Sequence, residues 1–114
     1  MTDYLLSMYY PQDPQAVPEN IDEIMRGVAA LNEEIREAGA WVHTAGLEFT
    51  ASARVVRATA DGPLVTDGPY LETKEALGGF WIVACDSIDG ALTWAAKASA
   101  VLGIPVEVRA VQGG

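Results

Sequence analysis

The 114-residue sequence is poor in the residues from which most reactive sites are built: one cysteine, one histidine, and seven basic residues against sixteen acidic. A lone Cys85 excludes an intramolecular disulfide and any multi-cysteine metal site, and it fits a reducing compartment, so a cytoplasmic location is expected. The single histidine, His43, leaves too few nitrogen and sulfur ligands for a zinc centre, so neither a metal nor another cofactor is expected. The net charge of −9 disfavours nucleic acid and anionic membrane surfaces, both of which need a basic patch. No run is long and apolar enough for a membrane span, and the opening MTDYLLSMYY lacks the basic start of a signal peptide. Neither GxGxxG nor GxxxxGK[ST] follows a strand, and no serine sits in a GxSxG turn. The usual nucleotide-binding and serine-nucleophile signatures are therefore absent.

What remains is ordinary globular material, half hydrophobic and one-fifth charged, with the length of one domain, 1–114. Residues 4 to 10 alternate as a strand, which Pro11, Pro14 and Pro18 prevent from continuing. Ile21, Ile24, Met25, Val28, Leu31 and Ile35 recur at helical steps, so an amphipathic helix with an acidic outer face is expected, closed by Gly39. Trp41 to Leu47 reads as a strand, with Trp41, His43 and Ala45 on one side and Val42 and Thr44 on the other. Ala53 to Thr59, the Asp61-Gly62 turn signal and Leu64 to Thr66 read as an extended hairpin. Phe80 to Cys85 is an unbroken apolar strand, the pattern of one covered on both faces. Asp86 or Ser87 then caps a second helix through Ile88, Ala91, Leu92, Ala95 and Ser99, Gly103 ends it, and Ile104 to Val111 is the last strand. The order is that of an α+β ferredoxin-like βαββαβ sandwich with an inserted hairpin.

The densest chemistry lies in Thr66 to Trp81, TDGPYLETKEALGGFW. Asp67-Gly68-Pro69 is a turn signal, because Gly68 adopts backbone angles closed to other residues and Pro69 lacks an N–H donor. Thr73 is expected to cap a single helical turn, Lys74 to Leu77, with Gly78 left-handed at its end. Asp67 serves either as a turn anchor or as a ligand contact. Glu72, Lys74 and Glu75 form either a solvated ion-pair cluster or a polar binding site in which Lys74 attracts a carboxylate or phosphate. His43 is an acid–base candidate if Asp67 orients it, and otherwise a strand-edge histidine with its tip in water. Cys85, inside an apolar strand, is a poor nucleophile.

Asp67-Gly68-Pro69-Tyr70, Glu72-Thr73-Lys74-Glu75 and Gly78-Gly79-Phe80, preceded by Ala45-Gly46-Leu47 and followed by Trp94-Ala95, resemble the DGPF-domain branch of the YCII-related family. Tyr70 stands where the domain name has phenylalanine. The resemblance covers nearly the whole chain and implies a ferredoxin-like fold paired into a dimeric α+β barrel, often encoded near extracytoplasmic-function sigma factors, with no established common activity. Related proteins carry a histidine on the first helix that, with an aspartate, suggests an active site. Here Arg26 to Asn32 offers Gly27, Val28 and Ala29 but no histidine, and His43 lies on the following strand.

Together these readings favour a domain that binds a small polar molecule in a cleft between the sheet and the 66–79 loop, through Asp67, Tyr70, Glu72 and Lys74. The competing reading is a non-catalytic regulatory protein acting with a sigma-factor-type partner. A homodimer joined through the sheet is also expected, because two helices cover one sheet face whereas strand 80–85 is apolar on both. The hairpin from 48 to 66 is the alternative cover for that second face.

Overall fold

The computed structural model describes residues 1–68 and 75–113. Its elements run β1 (Thr2–Pro11), α1 (Ile21–Glu37), β2 (Trp41–Gly46), β3 (Arg54–Thr59), β4 (Gly62–Asp67), β5 (Glu75–Cys85), α2 (Ile88–Leu102) and β6 (Val106–Ala110). Single 3-10 turns form at Pro14–Ala16 and Thr50–Ser52. Four strands make an antiparallel sheet in the order β2-β5-β1-β6, while β3 and β4 pair only with each other. With the β3–β4 arm set aside, the first and third strands of the βαββαβ order lie at the centre. This arrangement is compatible with a ferredoxin-like α+β fold.

Both helices lie on one face of the sheet. On α1 the helical spacing turns Leu31 and Ile35 inward, and Asp22 and Glu23 in its first turn complement the positive end of the helix dipole. Gly39 and Gly103, each at φ +74°, stop α1 and α2 where the sequence expects them to. The small residues Ala91, Ala95 and Ala98 let α2 approach closely, so one core joins them to Tyr4, Leu6 and Met8 of β1 and to Trp81, Val83 and Cys85 of β5. At its centre Trp81, 1% exposed, donates its indole N–H to Asn32 Oδ1 on α1 at 2.7 Å. Within Arg26–Asn32, the stretch with no histidine, Asn32 is thus the side chain that meets the sheet's polar demand.

Two irregularities change the expected faces. Trp41 pairs with Val83 but His43 with Ile82, so Val42 is an extra residue that breaks the alternation. Trp41 and Thr44 therefore align with the helix-side residues Val83 and Trp81, whereas His43 and Ala45 align with Ile82 and Phe80 opposite. Trp41 and His43 do not share a side. The second irregularity lies between β1 and β5, where the register steps from Met8↔Gly79 to Tyr9↔Leu77 and leaves Gly78 as the bulge.

Over its described residues, 75–77, the helical turn expected at Lys74–Leu77 is replaced by strand, while Lys74 and its expected cap Thr73 lie outside the described residues. Glu75, Ala76 and Leu77 are strand, paired with Pro11, Tyr10 and Tyr9, and Gly78 is not among the glycines with positive φ. The long β1 partner, continuing to Pro11, offers these residues a ladder that outweighs a local cap. Gly78 is needed for space: an added Cβ would lie 2.0 Å from Tyr10 Cζ, and the Tyr10 hydroxyl donates to the Gly78 carbonyl at 2.9 Å.

The face away from the helices carries Leu5, Ser7 and Tyr9 of β1, Leu77, Phe80, Ile82 and Ala84 of β5, and His43 of β2. Leu5, Phe80 and Ile82 are only half-buried, and Tyr9 and His43 are exposed. The β3–β4 arm does not lie over this face. Val56 and Val65, opposite each other on the arm, remain 64% and 58% exposed.

Candidate functional site

The site is built where the arm leaves the sheet. β2 ends at Gly46, and its line is extended by Leu47, whose N–H donates to the Gly78 carbonyl at 2.8 Å. Residues 48–53 then cross the end of β1, and Gln12 secures them. Its Nε2 donates to the carbonyls of Tyr10 at 3.0 Å and Ala76 at 3.3 Å, while its Oε1 accepts from Thr50 N–H at 3.0 Å. One side chain thus ties β1, β5 and the root of the arm together. In the sequence Gln12 is merely a polar residue after a strand, because the partners it joins are 38 and 64 residues away.

The arm's return end is held by Gly68, whose N–H donates to the Ala53 carbonyl at 2.9 Å. A Cβ at Gly68 would lie 2.9 Å from the Ala53 Cβ, so glycine serves a close crossing here and not a left-handed backbone. Next to this crossing Arg54 Nε lies 3.5 Å from Asp67 Oδ1. Both side chains are largely exposed, so the pair adds little to stability and is open to exchange with a ligand.

Between the arm root and the Tyr9–Leu77 end of the sheet runs a groove of about 1040 Å³. Tyr9, Phe49, Val55 and Leu77 give it an apolar floor, and Glu48, Thr50, Ser52, Arg54 and Glu75 supply its polar positions. Thr50 N–H is already taken by Gln12, and Ser52 Oγ donates to the Phe49 carbonyl at 3.1 Å. Arg54 is the groove's cation among the described residues. A smaller cavity of about 380 Å³ lies on the helix side, among Val17, Ile21, Met25, Leu102 and Ile104. Its acidic lining residue, Asp13, caps its own 3-10 turn by accepting from Gln15 N–H at 2.9 Å.

The candidates read from the sequence separate accordingly. Asp67 stands at the end of β4, beside the groove through its contact with Arg54. Glu75 lines the groove from the start of β5. Tyr70, Glu72 and Lys74 lie outside the described residues. His43 sits on the edge strand β2 with its ring centroid 6.1 Å from that of Phe80, and it shares neither a hydrogen bond nor an ion pair with Asp67. Burial pushes the Cys85 thiol up, and the Asp86 carboxylate adds to the shift, which makes Cys85 a protonated packing residue. Among the described residues no three His, Cys, Asp or Glu side chains gather to hold a metal, and no helix is long and apolar enough to cross a membrane. Tyr9, Gln12 and Arg54 are the site residues that the sequence did not single out. Arg54 carried one usable signal, as one of only seven basic residues and close to the turn region.

Residues 3–112 match the YCII-related domain family. The chain is also similar to an uncharacterized protein of Rhizobium meliloti (strain 1021), with 39% identity over 77 residues, covering 68% of this chain and 62% of that relative.

Proposed function

The chain belongs to the YCII-related domain family, and from that premise we propose that it binds a small molecule in the groove at the root of the β3–β4 arm. The groove itself carries this reading. Its volume, its apolar floor and its few polar positions are those of a small-ligand site, and its wall includes Glu75, the residue that follows the 68–74 connection. The ligand has an apolar body to lie on Tyr9, Phe49 and Leu77 and an anionic group, a carboxylate or phosphate, for Lys74 with support from Arg54. Asp67, beside the groove through Arg54, and Tyr70 and Glu72 complete the polar contacts in this reading. No catalytic step is assigned to His43 or Asp67.

The reading includes a homodimer of the α+β barrel type. Its support is the half-buried apolar surface of Leu5, Phe80 and Ile82, over which no layer of this chain lies among the described residues. A regulatory role with a sigma-factor-type partner is the second reading. It is supported by the net charge of −9 and the exposed Asp22, Glu23 and Glu37 of α1.

Native mass spectrometry of the purified protein, beside Tyr9→Ala and Lys74→Ala, tests the groove. A small-molecule adduct is expected that denaturation releases and that either substitution weakens by about tenfold. A bare mass, with no rise in melting temperature across a panel of small carboxylates and phosphates, overturns the assignment. A stoichiometric complex with a basic protein, insensitive to Lys74→Ala, would favour the regulatory reading instead.

A further inference from the structure

The β3–β4 arm is an element that a monomer does not account for. Two-stranded hairpins are marginal in water, yet this one projects with Val56, Ala58, Pro63 and Val65 exposed on one face and with the outer edges of both strands unpaired among the described residues. We propose that in the homodimer each arm closes over the second copy of the chain, laying this face on the partner; the inference rests on the dimer reading given above.

Three observations select a second copy as the occupant. The first is area. The chain exposes 7699 Å², whereas a compact monomer of 12.1 kDa exposes about 6000 Å². The excess is about twice the roughly 800 Å² that each partner contributes to a stable interface. The radius of gyration agrees, at 16.2 Å against about 13 Å for a compact chain of this length.

The second observation is continuity. Val56, on the proposed face of the arm, lines the same groove as Tyr9 and Leu77 of the bare sheet face, so the two apolar surfaces meet at that groove. A twofold axis through that face brings each arm against the other copy. The third is charge. On the arm Arg54 and Arg57 balance Asp61 and Asp67, so it is neutral on a chain that carries −9. A neutral segment approaches a second acidic copy without repulsion, whereas nucleic acid or an anionic membrane would require a basic arm.

The test is Val56→Glu with Val65→Glu, two substitutions at exposed positions remote from the core, followed by sedimentation equilibrium of the full chain. The dimer dissociation constant is expected to rise by about tenfold or more, with the circular dichroism spectrum unchanged. Amide exchange supplies a second readout that needs no variant. The β3 and β4 amides should be protected in the wild-type dimer and lose that protection on dilution. A wild-type dimer whose dissociation ignores both substitutions, and whose arm amides exchange equally fast at every concentration, overturns the arm assignment while leaving the dimer intact. A wild-type chain that stays monomeric and folded at about 100 μM, far above the micromolar constants of specific complexes, overturns the dimer reading and the arm assignment with it.

Discussion

β1–β5 and β3–β4 are both antiparallel pairs, the first with one bulge at Gly78, yet they differ in what lies over them. The first pair carries Leu6, Trp81 and Val83 under two helices, almost entirely out of water; the second leaves Val56 and Val65 in it. Backbone hydrogen bonds are present in both, and their net worth is small because water competes for the same groups. The layer above a pair, and not its ladder, decides how firmly it is held. On this view the helix-covered half of the molecule owes its stability to its own chain, whereas the arm and the bare face have no such layer among the described residues.

The comparison breaks most sharply at Trp81. Trp81→Ala should cost about 3–5 kcal/mol, since it opens a large cavity and leaves Asn32 without its donor. Urea unfolding measures the loss, and a cost below about 1 kcal/mol would mean that the core is not centred where the packing places it. Gly78→Ala lies at the join of the two regions. Its Cβ would fall on the Tyr10 ring, so a loss of about 1–3 kcal/mol is expected, together with weaker ligand retention as the groove wall shifts. Removing only the hydroxyl in Tyr10→Phe/Gly78→Ala should not relieve the clash, because phenylalanine keeps the ring, whereas Tyr10→Ala/Gly78→Ala should recover part of the loss. Val65→Thr on the arm is the smallest change. The isolated chain should lose less than about 0.5 kcal/mol, read from melts at concentrations where the protein is monomeric.

The candidate site was legible in part. Asp67, Gly68 and Glu75 stand out in the sequence, and the structure places each at the arm root or the groove wall. Gln12 and Tyr9 did not stand out, because a glutamine after a strand and a tyrosine within one have local explanations that need no site. The turn expected at Lys74–Leu77 shows the opposite failure: a capping threonine and a closing glycine look like a helical turn until β1 offers Glu75 and Leu77 a strand to pair with.

Local periodicity determined much of this protein. The apolar steps of α1, the terminating Gly39 and Gly103, the hairpin turn at Asp61-Gly62 and the apolar run of β5 each depend on residues a few positions apart, and each is where the pattern puts it. Tertiary structure alone decided which side chains share a face and which segments meet. An extra residue at Val42 or Gly78 reverses the alternation of a strand, and whether a residue is extra depends on the partner strand it is counted against. The Arg54–Asp67 pair and the bonds of Gln12 to Thr50 and Ala76 likewise depend on distances that no local pattern encodes. The core follows from composition and period, which are properties of the chain, and the groove follows from register, which is a property of two strands at once.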